Sequence, residues 1–513
     1  MRSKNTLVNI ISVWTGQILL IGVNMVSRKV FLDILGSEYL GLNSLFSNIV
    51  GLLAVAELGI GSAINYSLYR PLAENDTETI KSLMRLYKRV YCLIGTVILL
   101  AGVMITPAIR SIAECSESIQ NVEIIFMLFV INTAISYFFS YYSALIIADQ
   151  KKYIFNFVHY LFQLLMFAIQ IIILLKTGNY YAYLICQVTA TVAENLFMAI
   201  ITRKKYSYVK EKKIEPITEE NKSVISKNVK ALILNEIGNT IVTSTDNILI
   251  SKLINLSIVG IYGNYSTIIT AVRNVFWQGI TSFTASIGNQ LISGKKEECK
   301  NIFFAIQLIG SWLYGWGSIC LLLLLTPFVK LWYGDFTLAI ETVGVLCLNV
   351  YLSGQRTVLR AYVSAAGLYY KIKYRAIIEA FMNIVLSIAL GKIWGITGIF
   401  WGTFISGFIG GWFPETKVII KNIIDIKIWK YVIIQLKQGM CIAVSALLTI
   451  LVKRSNLSQG ISGFCIDLLI CIFLPNIVIA ICNLKNPYFR VCVNKLIGVI
   501  ESFINQKKKK TII

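Results

Sequence analysis

A single carboxylate interrupts an otherwise apolar stretch of this sequence. The stretch, LLAVAELGIGSAINYSLY at residues 52–69, is long enough to cross a membrane and contains Glu57 near its start. On a helix of 3.6 residues per turn, Glu57 shares a face about 80° wide with Asn43, Ser47, Gly61 and Asn65. A charge near the bilayer centre costs about 2.5–3.5 kcal/mol. This polar stripe is therefore predicted to face a water-filled cavity or another polar stripe.

Polar stripes also occur in later apolar segments. Three such segments each have a polar face. The first face carries Asn235, Asn239 and Asp246, with Glu236 beside it, and the second carries Asn274 and Gln278, with Arg273 at its flank. The third carries Arg356 and Arg360. Arginine forks are suited to binding anions. The predicted substrate-binding residues are Arg28, Arg273, Arg356, Arg360, Asn235, Asn239, Asn274 and Gln278, and the predicted coupling or gating residues are Glu57, Asp246 and Glu236.

Each of these residues also has a structural interpretation. Stripes of Asn, Ser and Thr often serve only to pack helices together. Arg28, near the end of its apolar segment, is also placed to extend its charge to the membrane interface. Glu57 and the arginines at 273, 356 and 360 are equally suited to buried ion pairs. The residue types alone leave both interpretations open.

The elements that must position these residues are membrane helices. Of the 513 residues, 56% are hydrophobic and 14% are charged, and the mean hydropathy is +0.69. Apolar runs of about twenty residues recur along the whole chain. The predicted fold is an all-α polytopic membrane protein with about fourteen transmembrane helices.

The charge distribution predicts which side of the membrane each loop occupies. Loops on the cytoplasmic side carry an excess of Lys and Arg. With the N-terminus inside, only seven of the 48 basic residues fall in outside segments, namely Arg110, Lys176, Lys252, Lys330, Lys392, Lys453 and Arg454. Both termini are therefore predicted to be cytoplasmic. The net charge of +22 is attributed to basic residues that mark the cytoplasmic loops and contact anionic lipid. No nucleic-acid partner is therefore expected.

Internal similarity divides the chain into repeats. Residues 141–153 align with 362–374 at an offset of 221, and residues 35–49 align with 254–268 at an offset of 219. We expect two six-helix lobes around a central cavity, followed by two additional helices. The predicted limits are 1–202 for the first lobe, 203–227 for a cytoplasmic linker, 228–414 for the second lobe, 415–484 for the two additional helices and 485–513 for a basic cytoplasmic tail.

Signals for catalysis are weak in this sequence. The single histidine, His159, is interpreted as a packed or interfacial residue rather than a ligand. We find no metal-binding spacing, nucleophile elbow or phosphate-binding glycine loop. The predicted outside loops are about a dozen residues or fewer, too short for an active site there. The protein is therefore predicted to be a transporter and not an enzyme, with no metal or organic cofactor.

Three segments resemble a known family. They are YLGLNSLFSNIVGLLAVAELGIGSAINYSLYRPLAENDTETIKSLM at residues 39–84, ADQKKYIFN at 148–156 and TDNILISKLINLSIVGIYGNYSTI at 245–268. These segments look like the polysaccharide flippases of the Wzx type. That group belongs to the multidrug/oligosaccharidyl-lipid/polysaccharide exporter superfamily. The similarity extends over nearly the whole chain.

The resemblance implies a substrate and a pathway. It implies a transporter in the cytoplasmic membrane that moves an undecaprenyl-diphosphate-linked oligosaccharide from the inner to the outer leaflet of the lipid bilayer by alternating access, for capsule or another surface polysaccharide. A polysaccharide polymerase and glycosyltransferases are the expected pathway partners. In such a cycle, Glu57 is expected either to hold an arginine in place or to take up a coupling proton or sodium ion.

Three alternatives are kept. A peptidoglycan lipid-precursor flippase is close in its chemistry. A drug exporter of the same superfamily would carry cations and would require an acidic cavity. A membrane glycosyltransferase or polymerase, from a different class, would require a catalytic carboxylate or histidine on the outside.

Overall fold

The described part of the chain is helical and contains no strand. The computed structural model describes residues 2–57, 61, 67–68, 71–72, 74–113, 119–149, 151–210, 240, 242, 244–281, 283–293, 296–454 and 460–490. The predicted all-α class is therefore confirmed.

The helices follow one another with short connections in most places. The first are α1 (Arg2–Leu53), α2 (Thr77–Ile105), α3 (Val122–Ala148), α4 (Lys152–Thr177) and α5 (Tyr180–Lys205). They are followed by α6 (Leu256–Thr281), α7 (Thr284–Ser293), α8 (Lys296–Tyr333), α9 (Ile340–Ala365), α10 (Arg375–Ser406), α11 (Phe413–Ile419), α12 (Ile428–Arg454) and α13 (Gly460–Asn483). Shorter helical segments are Ala54–Glu57, Thr106–Ala108, Ile109–Ala113, Ser207–Lys210, 244–253 and Leu368–Ile372, and two π-helical segments, Gly407–Trp412 and Ile420–Ile424, flank α11.

Two of the long helices contain a sharp bend. Gly36 bends α1 with a φ of 84°, and Gly395 bends α10 with a φ of 58°. Glycine adopts positive φ without the steric penalty of a Cβ atom, so each bend falls at a residue that permits it. The bends divide α1 and α10 where the apolar pattern predicts the boundary between two consecutive spans.

The apolar character of the helices supports the membrane assignment. Among the described residues, eight helices are long and apolar enough to cross a membrane. The exact number of fourteen spans stays a prediction, because part of the chain between α5 and α6 lies outside the described residues.

The chain divides into two compact units, Met1–Gly263 and Asn264–Ile513. The division falls inside α6, so the first turns of this helix belong to the first unit. The lobe limits expected from the sequence, 1–202 and 228–414, stay predictions, as does the cytoplasmic linker, most of which lies outside the described residues.

In the second unit, the last two helices pack against α8. The indole of Trp312 in α8 donates to Asn476 Oδ1 in α13 at 2.6 Å. Between α12 and α13, Ser445 donates to the carbonyl of Pro475 at 3.2 Å, and Gln438 donates to Asn483 Oδ1, also at 3.2 Å. Within the second unit, these polar contacts join α13 to α8 and α12 to α13.

The orientation of the chain can be measured with reporter fusions. Fusions after Asn221 and in the C-terminal tail are expected to report the cytoplasm, and a fusion near Ser116 the outside, because of the Lys and Arg distribution. Residues 116 and 221 and the part of the tail after residue 490 lie outside the described residues. Reports from the same side at 116 and 221 would show that the spans of the first half are miscounted.

Candidate functional site

Glu57 ends a 3₁₀ turn, Ala54–Glu57, that follows α1 in the first unit. Its carboxylate accepts hydrogen bonds from the hydroxyls of Tyr91 in α2 and Tyr137 in α3, the latter at 3.1 Å. Tyr87 donates to the Tyr91 hydroxyl at 3.3 Å. The carboxylate is thus held by a chain of hydroxyls, and its hydrogen-bond partners among the described residues are tyrosines, not arginines.

These tyrosines were not predicted from the sequence. Tyr87 and Tyr91 are four residues apart and therefore share a helix face, which is the one signal that could have paired them. Tyr137 is 80 positions from Glu57. A hydroxyl donates its proton to a carboxylate and can also pass one along a chain of hydroxyls, so this cluster is suited to holding a proton or a small cation.

A second charged site lies in the second unit, where three arginines surround two carboxylates. We call this set the arginine–glutamate cluster: Arg356, Arg360, Arg375, Glu379 and Glu415. The guanidinium of Arg356 bonds to both carboxylates, with Nη2 at 2.7 Å from Glu379 Oε2 and Nε at 3.2 Å from Glu415 Oε2. Arg375 Nη1 lies 2.9 Å from an oxygen of each carboxylate.

Burial separates the members of this cluster. The side chain of Glu415 is 0% exposed, those of Arg356 and Arg375 are 8% and 2% exposed, and that of Arg360 is 44% exposed. Arg360 donates through Nε to Glu415 Oε1 at 3.0 Å. The predicted pair Arg356 and Arg360 is therefore brought into one cluster, but only Arg360 presents its guanidinium at the surface.

Local backbone features make room for the buried charges. Arg375 and Glu379 stand four residues apart at the start of α10, and Glu415 follows a π-helical segment, Gly407–Trp412. A methyl group at Gly411 would overlap the guanidinium of Arg356. The glycine-rich stretch GFIGGWF at residues 407–413 therefore permits the close approach of α9.

Sequence reasoning missed three members of the cluster. Arg375 and Glu379 have the i, i+4 spacing of a helical ion pair, which was an available signal. Glu415 had no such signal, since its partners Arg356 and Arg360 are 59 and 55 positions away.

The remaining predicted residues lie in several places. Arg28 in α1 lies 3.5 Å from the hydroxyl of Ser44, and Asp246 is buried in the first unit. In α6, Arg273 and Asn274 are exposed and Gln278 is partly buried. Asn235, Glu236 and Asn239 lie outside the described residues, so the structure says nothing of them. The substrate and coupling roles of the whole set stay predictions.

His159 is held by a carboxylate inside the first unit. Its Nδ1 lies 2.8 Å from Glu194 Oε1, and its ring stacks on Phe155 with ring centroids 5.6 Å apart. Among the described residues, no group of three or more His, Cys, Asp and Glu side chains is placed to hold a metal ion.

Solved structures with the same fold are transporters. A lipid II flippase, MurJ, in an inward closed conformation has a TM-score of 0.68 at 15% identity and covers 93% of this chain and 99% of its own. An inward-facing multidrug resistance MATE family transporter of the MOP superfamily has a TM-score of 0.58 at 14% identity and covers 78% of this chain and 94% of its own. The Vibrio cholerae MATE transporter VcmN has a TM-score of 0.57 at 14% identity, with 83% and 99% covered.

At these identities the similarity shows the fold, which is that of MOP-superfamily transporters. No curated protein sequence matches the chain significantly. A family model described as "Polysaccharide biosynthesis protein" matches residues 6–283, more than half of the 513 residues. This multi-pass membrane protein therefore belongs to the polysaccharide biosynthesis protein family.

Proposed function

We propose that this protein is a flippase for an undecaprenyl-diphosphate-linked oligosaccharide, which it moves from the inner to the outer leaflet of the cytoplasmic membrane by alternating access. The observation that carries the proposal is the exposed guanidinium of Arg360 beside the buried Glu415. The family match and the transporter fold support a transport role over an enzymatic one.

Arg360 has the geometry of an oriented phosphate ligand. Its Nε is engaged by Glu415, which fixes the plane of the guanidinium, while its two Nη groups have no hydrogen-bond partner among the described residues. A planar fork with two free N–H₂ groups is suited to bidentate bonding of phosphate oxygens. Since three arginines face two glutamates, the cluster carries one excess positive charge, which favours a dianionic diphosphate.

The depth of Arg360 is suited to a headgroup that enters from the cytoplasm. It lies five residues before Ala365, the last residue of α9, which corresponds to about 7.5 Å along the helix axis. That end of α9 is the one that the charge distribution predicts to be cytoplasmic. A prenyl tail can stay in the lipid while the diphosphate and the glycan hydroxyls, which cannot cross hydrocarbon unaided, pass along polar side chains.

The tyrosine-bound carboxylate Glu57 is the proposed coupling group. Uptake of a proton or a sodium ion would remove its negative charge, and that change can bias one conformation of the transporter over another. A polysaccharide polymerase and glycosyltransferases are the proposed pathway partners, and capsule or another surface polysaccharide is the proposed product.

Arg360→Ala is expected to reduce flipping of the lipid-linked oligosaccharide about ten- to hundredfold with little loss of folded protein. Hydrogen bonds to charged groups are worth about 1.5–3 kcal/mol, which sets this range. The fold is spared because the side chain is 44% exposed and the four remaining charges of the cluster balance. The rate is measured in proteoliposomes by enzymatic digestion of the glycan that becomes accessible outside.

A matched control is Arg85→Ala, which removes an exposed arginine of α2 that is also predicted to be cytoplasmic. Its flipping rate is expected to stay within twofold of the unmodified protein. An unchanged rate for Arg360→Ala would remove this side chain from the mechanism.

The same vesicles test the alternative functions. The fold is shared with a lipid II flippase, so lipid II is the first competing substrate. Faster movement of lipid II than of the oligosaccharide would assign a peptidoglycan precursor, and transport of a cationic dye would assign a drug exporter. Formation of a longer glycan would assign a polymerase.

A further inference from the structure

A close backbone crossing in the first unit joins the two sequence repeats. The part of α1 that follows the Gly36 bend crosses the first turns of α6. A methyl group at Gly41 would overlap the carbonyl oxygen of Leu256, and a methyl group at Gly260 would overlap the carbonyl oxygen of Ser37. Only glycine at both positions allows the two helices to approach this closely.

The crossing has two-fold internal symmetry. Gly41 and Gly260 differ by 219 positions, as do Ser37 and Leu256, and 219 is the offset at which residues 35–49 align with 254–268. Gly41 faces the carbonyl of Leu256, and its equivalent Gly260 faces the carbonyl of Ser37, which is the equivalent of Leu256. The hydroxyls of Ser37 and Ser257 complete the crossing with a hydrogen bond of 2.6 Å.

A separate set of contacts holds the neighbouring part of the second repeat. Ser251 donates to the carbonyl of Ala113 at 2.9 Å, and Lys252 donates to the carbonyl of Ser111 at 3.2 Å. These carbonyls end the short helix Ile109–Ala113, where the helix dipole favours a cation. All of these residues belong to helix ends that the charge distribution predicts to be outside.

We propose that this crossing, defined by Ser37, Gly41, Ser257 and Gly260, is the outer gate of the transport cycle and is closed in this structure. The proposal rests on the proposed function, because a gate of this kind must separate to release a substrate outside. The contacts between these four residues are small-residue packing and one neutral hydrogen bond, between Ser37 and Ser257, which can break and reform. The two repeats contribute equivalent residues, so the gate opens about its own symmetry axis.

Cysteine cross-linking tests whether the crossing must open. Ser37→Cys with Ser257→Cys places two thiols where hydroxyls are 2.6 Å apart, within reach of disulfide geometry. Oxidation of this double variant is expected to lower flipping at least tenfold, and reductant is expected to restore it. The matched control, Thr342→Cys with Thr397→Cys, joins α9 to α10 within the second repeat, where the two hydroxyls are 2.8 Å apart, and is expected to keep its rate when oxidised.

Labelling tests the gate without any substrate. Ser44 lies on α1 about 10 Å deeper than Ser37. A membrane-impermeant thiol reagent, added outside to a Ser44→Cys variant that also carries Cys115→Ser, is expected to react at least fivefold faster when Gly41→Ala or Gly260→Ala is present. Alanine is the better helix former, so faster labelling reports the clash and not a weakened helix.

Two glycines of the same helices provide controls. Gly51 in α1 and Gly279 in α6 have open space around the position of a Cβ atom, so Gly51→Ala and Gly279→Ala are expected to leave the labelling rate unchanged. Equal labelling rates for Gly41→Ala, Gly260→Ala and the protein with both glycines unmodified would contradict the proposal that the crossing is a gate. Undiminished flipping by a fully cross-linked double variant would also overturn it.

The two tests separate the gate from the proposed function. If the oligosaccharide is not moved even by the reduced or unmodified protein, the proposed function is wrong, and the labelling rates still decide the gate. If the oligosaccharide moves but the cross-link has no effect, the gate is wrong and the proposed function stands.

Discussion

Glu415→Gln is expected to destabilise the folded protein by about 3–5 kcal/mol, the cost of removing one partner of a buried ion pair. The Glu415 side chain is 0% exposed and lies within 3.2 Å of Arg356, Arg360 and Arg375. Without its charge, three arginines share the single carboxylate of Glu379, and two of these arginines are buried. Thermal unfolding in detergent and the abundance of the protein in membranes measure the loss.

The expected cost depends on burial, and a surface pair in the other unit provides the control. Glu123 lies 3.5 Å from Arg110, and both side chains are more than 40% exposed. Glu123→Gln is expected to cost less than about 1 kcal/mol, because exposed ion pairs contribute little. Similar losses for Glu415→Gln and Glu123→Gln would contradict the structural role of the cluster.

A second substitution tests the charge argument directly. Arg356→Met added to Glu415→Gln restores the single excess positive charge of the cluster, so the double variant is expected to be more stable than Glu415→Gln alone. Arg356→Met alone is expected to be milder than Glu415→Gln, since the four remaining charges balance. No recovery in the double variant would show that packing around Gly411, and not charge, determines the loss.

Glu57→Gln is expected to lower flipping at least tenfold while the protein still inserts and folds. Glutamine keeps the size of the side chain, and its oxygen can still accept from one of the hydroxyls of Tyr91 and Tyr137 while its amide donates to the other, but it cannot take up a proton and offers a sodium ion no negative charge. Membrane abundance and flipping rate per molecule are measured together. Exchange of sodium for choline and variation of pH then show which ion the remaining activity of the unmodified protein requires.

The control for Glu57 is another carboxylate within the same unit. Glu194→Gln removes the charge that pairs with His159 in α4 and is expected to leave flipping within twofold. Normal abundance with normal flipping for Glu57→Gln would show that the carboxylate is incidental. Low abundance with normal flipping per molecule would make it a structural partner of the tyrosines.

Tyrosine substitutions resolve how the carboxylate works. Tyr91→Phe removes the link between Tyr87 and Glu57, whereas Tyr137→Phe removes a hydroxyl on the other side of the carboxylate. If protons pass along the Tyr87–Tyr91 chain, Tyr91→Phe is expected to reduce flipping more than Tyr137→Phe. Equal effects would indicate that both hydroxyls only hold the carboxylate in place.

Several properties of this protein are determined by the sequence alone, because they depend on local or summed quantities. Long apolar runs determine that the described chain is helical, since a lipid environment requires backbone hydrogen bonds to be made within each segment. The family is also readable from the sequence, as the match over residues 6–283 confirms. The weak similarity at an offset of 219 predicted equivalent residues, and Gly41 and Gly260 now cross at that offset.

The partners of the charged residues were decided only by the tertiary structure. Helical periodicity places Arg356 and Arg360 on one face, but it cannot indicate that α11 brings Glu415 between them and Arg375. The same holds for Glu57, whose tyrosines come from α2 and α3. Periodicity reports neighbours three or four residues apart, whereas the charge balance of a buried site depends on which helices pack together, and that choice is made by the shape and burial of whole faces.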